Sequence, residues 1–258
     1  MSKKPKILIY DIETAPALAW IWKPGYGINV APSQLHKDSR WDIITIAYKW
    51  YGQKTVHCLD WGLKKQNSRE MLAKFLTVWE KADAVITYNG DSFDNKRIQT
   101  LAAKHGLKPF APVMSLDLFP LVKKHFSLLS NSLDEVAKYF GVGRKIKTDM
   151  SLWTGVMYKD AQSLRDMRTY NKGDVVVTEE VLDRISEYVD WKKKIAVFIN
   201  KDSQITCPNP ACLSDNVRKN GWYIAKTIKH YRLECKDCSN QWATTKRLNK
   251  EQKERVGE

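Results

Sequence analysis

Acidic residues are scarce in this sequence relative to basic ones. The chain of 258 residues has 29 Asp and Glu against 43 Lys and Arg, a formal net charge of +14. An excess of this size favours a polyanionic partner, for which nucleic acid is the usual candidate, although many basic surfaces are merely solvated. The composition therefore predicts nucleic-acid binding without saying what the protein does to that partner.

Long apolar runs are also lacking. No stretch approaches the roughly 20 apolar residues that a membrane span needs, so we expect no membrane partner. In the basic N-terminal segment "MSKKPKILIYDIE", the apolar run ends at Asp11, so it is too short for the core of a secretory signal. The hydrophobic fraction of 43% excludes a disordered chain, and no internal repeat is evident. We expect a cytoplasmic globular protein.

Cysteines are few, and their distribution argues against a disulfide framework. Cys58 stands alone on a predicted strand and is interpreted as a core residue. The other four form two close pairs near the C-terminus, as structural Zn²⁺ sites do in reducing compartments. Four free or redox-active thiols are the alternative. The paired residues are Cys207, Cys212, Cys235 and Cys238.

Strand and helix signals alternate before this tail. The segments "KILIYDIE", "IITIAYKWY", "TVHCLDW", "DAVITYNG" and "VMSLDLF" predict strands, and amphipathic segments predict helices. We expect Ser68 to cap one helix, and Ser132 with Glu135 to form a capping box that begins another. The pattern is helical from Ala161 to about Ala196, with an interruption expected near Gly173. Short turns followed by strand–helix units predict a mixed sheet with helices on its faces.

A long segment rich in Pro, Gly and Trp lies between the first two predicted strands. Loops of this length usually carry function or act as lids. Its aromatic side chains could shape the entrance for a single-stranded end or could equally cover the sheet. They are Trp20, Trp22, Tyr26 and Trp41.

Two acids stand at the end of the first predicted strand. Asp11 and Glu13 are two residues apart, so both carboxylates leave the same face, about 7 Å apart along the strand. A solvent-exposed pair is one explanation. The strand is otherwise apolar, however, and two acids in such a place are unfavourable unless a cation neutralises them.

Later segments supply further acids. Asp94 lies in the first turn of the helix predicted after the strand "DAVITYNG", and ligands bind beyond the carboxyl ends of parallel strands. Tyr170 and Asp174 are four residues apart and share a helix face. Taken singly, each has an ordinary explanation, as an acid favoured at a helix N-terminus or as a solvent-facing pair.

In their order these segments resemble the motifs of the DEDD superfamily of 3′–5′ exonucleases, the ribonuclease-H-like group that includes DnaQ-like and polymerase proofreading domains. "DIET", "YNGDSFD" and "YNKGD" correspond to the three motifs, the last in its tyrosine variant, and "LSNSLDEVAKYFG" resembles the segment before the third. The resemblance covers about residues 5–195 and implies an α/β fold with a mixed five-stranded sheet flanked by helices. It is carried by Asp11, Glu13, Thr14, Asn89, Phe93, Asp94, Tyr170 and Asp174.

The resemblance implies a site for two Mg²⁺ or Mn²⁺ ions. Hard cations prefer carboxylate oxygens, and two ions about 4 Å apart can activate water and hold a leaving oxygen. The implied ligands include Asp11, which would bridge the ions. Tyr170 would orient the attacking water, because a phenol with an ordinary pKa near 10 is an inefficient base at neutral pH. The full set is Asp11, Glu13, Asp94 and Asp174.

Three further residues of these motifs are candidates for binding the terminal nucleotide: Thr14, Asn89 and Phe93. Phe93 could stack on a base, or it could equally be a core aromatic at a helix start. Asp117, another acid on a predicted strand, is interpreted as structural or as a residue that supports the metal ligands.

The cysteine tail resembles a zinc ribbon. "YRLECKDCSNQWATTKR" is similar to a second ribbon hairpin, with Trp242 beneath the knuckle. We place the nuclease domain at 1–202, the ribbon at 203–248 and a charged tail at 249–258. Basic residues interleaved with aromatics suit a surface that grips phosphates and stacks bases, while a solvated ribbon or a protein-docking module are the alternatives. These residues are Arg218, Lys219, Trp222, Tyr223, Lys226, Lys229, Tyr231, Arg232, Lys246 and Arg247.

The sequence thus predicts a two-metal 3′–5′ exonuclease with a structural Zn²⁺. DNA, single-stranded or as a 3′ end, is favoured as substrate. Trimming of RNA 3′ ends and a catalytically inactive nucleic-acid-binding adaptor are the competing hypotheses. A proofreading role would need a separate polymerase or replication protein as partner, and a compact nuclease with a ribbon would suit a phage protein acting in the host cytoplasm.

Overall fold

The computed structural model describes residues 5–109, 113–143, 146–189, 191, 204–209, 212–225 and 228–257. The chain divides into two compact units, one of residues 7–184 and one that contains the described residues from Ile185 onward together with residues 5 and 6. The boundary predicted between residues 202 and 203 lies outside the described residues.

A mixed five-stranded sheet forms the centre of the first unit, as predicted. Its order is β3-β2-β1-β4-β5, with β1 antiparallel to β2 and parallel to β4. The central strand β1 is apolar on both faces over most of its length because helices cover both sides. The strands are β1 (Ile7–Thr14), β2 (Ile43–Trp50), β3 (His57–Asp60), β4 (Ala84–Thr87) and β5 (Met114–Asp117).

Helices flank this sheet. The apolar side of α1 packs on it, with the rings of Phe75 and Trp79 against Tyr10 at centroid distances of 5.2 and 5.4 Å. The helices of this unit are α1 (Ser68–Trp79), α2 (Asp94–Lys104), α3 (Leu118–His125), α4 (Leu133–Phe140), α5 (Met150–Met157) and α6 (Ala161–Ile185).

The helix caps correct one detail of the prediction. Asn67, rather than Ser68, caps α1, because its side chain accepts a hydrogen bond from the backbone N–H of Arg69 at 2.9 Å. The Ser68 hydroxyl is turned inward, 3.0 Å from His105 Nε2. Ser132 caps α4 by accepting a hydrogen bond from the backbone N–H of Glu135, which is one half of the predicted capping box, while the Glu135 carboxylate pairs with Lys138 at 3.6 Å.

The interruption predicted near Gly173 was wrong, because α6 is continuous from Ala161 to Ile185. A helical glycine costs about 1 kcal/mol relative to alanine. Burial of an apolar side chain such as Val175 or Leu182 returns about 1.5–3 kcal/mol, which outweighs that cost. The helix ends at Ile185, and the predicted continuation beyond residue 191 lies outside the described residues.

Two acidic residues of α6 hold it to the sheet. The buried Glu179 carboxylate pairs with Lys49 of β2 and also accepts a hydrogen bond from the backbone N–H of Gly52 at 2.7 Å. One turn further along, Asp183 accepts a hydrogen bond from the Tyr51 hydroxyl at 2.8 Å. These contacts fix which face of α6 meets β2 and the turn that follows it.

The segment between β1 and β2 is largely exposed. Two backbone hydrogen bonds of 2.8 Å join its two sides: the N–H of Trp20 donates to the carbonyl of Gln34, and the N–H of His36 donates to the carbonyl of Leu18. Its aromatic side chains do not cover the sheet, since Trp22 is fully exposed and Trp41 is about half exposed with Arg97 stacked 4.3 Å from its ring.

The second unit is built on a three-stranded antiparallel sheet of order β6-β7-β8, followed by α7. Tyr231, Leu233 and Trp242 form its core. Residues 249–258, predicted as a charged tail, include α7, after which Val256 is buried in this core. The elements are β6 (Val217–Ala225), β7 (Ile228–Cys235), β8 (Gln241–Ala243) and α7 (Lys250–Arg255).

Among the described helices, none combines the length and the apolar character that crossing a membrane requires.

Candidate active site and cysteine site

Three of the predicted acids meet at one end of the central strand. Asp11 and Glu13 extend from the same face of β1, and α6 brings Asp174 to them. Their carboxylate groups each contribute an oxygen that lies within 4.8 Å of the other two. Asp174 is only 2% exposed. Three anions this close destabilise one another unless they take up protons or a cation neutralises them.

Asp94, the fourth predicted acid, does not belong to this three-acid group. The pairing of β1 with β4 ends at Ile9. Further along β1, the backbone N–H of Ile12 donates a hydrogen bond of 3.1 Å to the carboxylate of Asp94, the first residue of α2. Burial raises the pKa of this carboxyl group to about 7, although the hydrogen bond from Ile12 opposes the shift. Asp94 is therefore fixed against the same strand that carries the cluster.

Asn171 is a site residue that the sequence reasoning missed. Its side chain is fully buried, and its Nδ2 donates a hydrogen bond to Asp11 Oδ2 at 2.6 Å. Its own Oδ1 has no hydrogen-bond partner among the described residues. The available signal was its spacing from Asp174, because residues three apart share a helix face. Asn171 thereby orients one carboxylate of the cluster.

Two clefts of the size that small ligands occupy border the start of α4, and Tyr170 lines one of them. The residue is 9% exposed, and its ring meets the edge of Trp153 at 5.8 Å between centroids. It lines a cleft of about 640 Å³ whose other wall includes the start of α4. Asp11 and Asn89 line a second cleft of about 580 Å³, bordered by the segment that leads into α4. The α4 entrance thus borders both.

The turn after β4 is held in one conformation by Asp117. Its carboxylate accepts backbone hydrogen bonds from Asn89 at 2.7 Å and from Asp91 at 3.1 Å, and it also caps α3. Asp117 therefore holds the backbone of this turn in place. Asn89 itself has a positive φ of 66°, and a Cβ on Gly90 would lie 2.2 Å from Thr87 Oγ1, so this turn requires glycine there.

The remaining predicted contacts lie at the edges of the same region. Thr14 is partly buried and pairs with Ile43 after an irregularity in the strand register that follows Glu13. Phe93 immediately precedes α2 and is 37% exposed, so it is not a core aromatic.

The second unit brings the four paired cysteines together. Their four sulfur atoms all lie within 4.8 Å of one another. Cys207 Sγ is 3.5 Å from Cys238 Sγ, and Cys212 Sγ is 3.6 Å from Cys235 Sγ. Four sulfurs placed about 2.3 Å from a tetrahedral Zn²⁺ would be about 3.8 Å apart. Burial raises the pKa of the Cys207 thiol. The arrangement is compatible with a small zinc ribbon.

The sheet order, the acids at the end of the central strand and the helix that completes their cluster define a ribonuclease-H-like protein. Residues 34–186, more than half of the chain, match the family model described as the RNase_H superfamily, and the chain belongs to that superfamily. A comparison with curated proteins finds no match.

Solved structures give the same fold. One similar structure is that of the family B DNA polymerase from the hyperthermophilic archaeon Pyrobaculum calidifontis, with a TM-score of 0.52 and 16% identity. The match covers 75% of this chain but only 25% of the polymerase chain, and at this identity it shows the fold alone. Membership of the RNase_H superfamily supports a nuclease.

Proposed function

We propose that this protein is a divalent-metal-dependent 3′–5′ exonuclease that removes nucleotides from DNA ends. The observation that carries the proposal is the grouping of Asp11, Glu13 and Asp174 within 4.8 Å at the end of β1. The 3′–5′ polarity rests on the resemblance of the three motifs to the DEDD exonucleases, in which the same acids stand in the same order.

The donor set fits hard divalent cations. Carboxylate oxygens are the preferred ligands of Mg²⁺ and Mn²⁺, and a cluster of acids that includes a buried member gains most from neutralisation. Asp11, Glu13 and Asp174 would hold the ions, with Asp94 as a fourth ligand. A bound divalent pair supplies Lewis acidity, which activates water and neutralises charge that develops on the phosphate.

The surrounding side chains would position the reactants. The Asn171 amide fixes the orientation of the Asp11 carboxylate through its hydrogen bond of 2.6 Å. The hydroxyl of Tyr170, on the helix that carries Asp174, would orient the attacking water. Thr14, Asn89 and Phe93 would contact the terminal nucleotide, for which the exposed Phe93 ring offers a stacking surface.

The cysteines would hold one structural Zn²⁺ through Cys207, Cys212, Cys235 and Cys238. Thiolates at this spacing favour Zn²⁺ over hard cations. We therefore propose that the two clusters select different metals within one chain.

Single-stranded oligonucleotides labelled at one end test this function. With Mg²⁺ or Mn²⁺ we expect immediate release of labelled mononucleotide from a 3′ label and stepwise shortening from a 5′ label. An RNA oligomer of the same sequence tests the sugar preference, and faster loss of RNA would overturn the DNA assignment. The absence of any release with either metal would overturn the nuclease assignment.

A further inference from the structure

The hairpin of β6 and β7 presents one face that the proposed nuclease chemistry does not use. In this pairing Trp222 lies opposite Tyr231, and Ile224 lies opposite Lys229. Residues directly opposite each other in an antiparallel pair share a face of the sheet. Tyr231 is buried in the core of the unit, whereas Trp222 is 44% and Ile224 63% exposed. The face therefore extends from the core toward the hairpin tip.

A bulge in β6 adds a cation to this face. The register shifts between Lys219, which pairs with Leu233, and Trp222, so that two residues intervene where regular alternation would place one. The shift puts Lys219 and Trp222 on the same side. Gly221 makes the bulge possible, because its φ of +90° disfavours a side chain and a Cβ there would approach Arg232 Nη2 to 3.1 Å.

Lysines surround the aromatic pair that results. Lys219 Nζ lies 4.4 Å from the Trp222 ring centroid and 5.1 Å from that of Tyr231. Lys229 Nζ lies 5.9 Å from Trp222, and Lys253 of α7 contributes a third ammonium 6.0 Å from Tyr231. We call the surface formed by Lys219, Trp222, Ile224 and Lys229 the hairpin face.

The charge of the unit identifies the kind of partner. Residues 204–257 contain eleven Lys and Arg against five Asp and Glu. One of those acids, Glu234, lies opposite Arg218 and pairs with it at 3.0 Å on the other side of the hairpin. An exposed ring beside ammonium groups suits a stacked base joined to phosphates, which is the chemistry of a single strand.

We propose that the hairpin face binds single-stranded nucleic acid, with phosphates held by Lys219 and Lys229 and a base stacked on Trp222. The inference rests on the proposed function only in naming that strand as the substrate of the nuclease. An acidic protein partner is the competing occupant.

Binding to a fluorescein-labelled oligothymidylate, followed by fluorescence anisotropy over a series of salt concentrations, tests the proposal. The parent is the full-length zinc-loaded protein carrying Asp174→Asn, so that the probe stays intact. The double variant Lys219→Gln and Lys229→Gln should lower the slope of log affinity against log salt by about 1.4, since each phosphate contact on a single strand contributes about 0.7.

The aromatic contact has its own readout. Trp222→Leu should weaken binding about tenfold without changing the salt slope, while Trp222→Phe should retain most of the affinity because it keeps a stacking ring. Binding to a duplex of the same length should not respond to Trp222→Leu, because paired bases are not free to stack on the ring.

A control removes one positive charge elsewhere in the second unit. Lys236 lies between Cys235 and Cys238, at the opposite end of the hairpin from the tip, and Lys236→Gln should bind like the parent. Zinc content and circular dichroism verify that each variant is folded. Unchanged binding by the hairpin-face variants, or an equal loss in Lys236→Gln, would overturn the proposal. Because binding needs no cleavage, this result is independent of the nuclease assay.

Discussion

The acid cluster and the cysteine cluster assemble anionic ligands in opposite ways. Asp11 and Asp174 come from the first strand and the last helix of a unit whose core already fixes both elements. The four cysteines come from two neighbouring turns around a much smaller core. From this difference we infer that metal serves chemistry at the first site and folding at the second.

Removing an acid should have the largest effect on activity and almost none on the fold. We expect Asp174→Asn to lower the rate of nucleotide release at least about a thousandfold, because several kcal/mol of metal-dependent stabilisation is lost. Its melting temperature without metal should be unchanged or higher, since one charge leaves a crowded site. Asp166→Asn, an exposed change on the same helix, is the control for both measurements. A stable but fully active Asp174→Asn protein would contradict this account.

Removing a cysteine should do the reverse. We expect Cys235→Ser to lose bound zinc and the near-ultraviolet dichroism of the packed Trp242, because the small core depends on metal. The unit of residues 7–184 should keep its own melting transition. Cys58→Ala, in that other unit, should retain zinc. Equal loss of structure in both units after Cys235→Ser would show that the two units do not fold independently of each other.

Asn171→Ala should act through the metal and not through the fold. Loss of a hydrogen bond that orients a metal ligand typically lowers metal affinity 10- to 100-fold. We therefore expect the Mn²⁺ concentration that gives half-maximal cleavage to rise by that factor, with activity largely recovered at saturating Mn²⁺. A lower melting temperature with an unchanged Mn²⁺ requirement would mean that Asn171 is only structural.

Asp94 should make the metal-free protein less stable as the pH rises. Its folded pKa of about 7 exceeds the ordinary value, so its stabilising contribution is complete below about pH 4 and is lost as the pH rises through 7. Between pH 5.5 and 8 the free energy of unfolding should fall by about 2 kcal/mol from this group.

Thermal melts in chelator at the two pH values measure this effect. Asp94→Asn should flatten the dependence, and Mg²⁺ should restore more stability to the wild-type protein at pH 8 than at pH 5.5. If the stability of Asp94→Asn still fell between pH 5.5 and 8, the pH dependence would belong to other groups.

Much of the fold follows from local patterns in the sequence. The strand β1 and its acids could be predicted because an apolar run with polar residues at its end is typical of a buried strand. The cap of α4 by Ser132 depends on neighbouring residues alone. Such features need no knowledge of distant contacts.

The predictions failed where distant contacts decide the structure. The continuity of α6 through Gly173 depends on burial against the sheet, and the role of Asn171 depends on the approach of β1. Asn67 caps α1, while the Ser68 hydroxyl lies against His105, the residue that follows α2. The proximity of Lys219 to Trp222 arises from a bulge that the alternation of residues does not indicate.

The most direct test of the contrast between the two sites is a titration of the full-length zinc-loaded protein with Mn²⁺, followed by electron paramagnetic resonance. We expect two Mn²⁺ ions to bind per wild-type chain, and binding to be lost in a variant carrying both Asp11→Asn and Asp174→Asn that keeps its one zinc ion. Equal Mn²⁺ binding by that variant and the wild-type protein would show that the acid cluster is not a metal site.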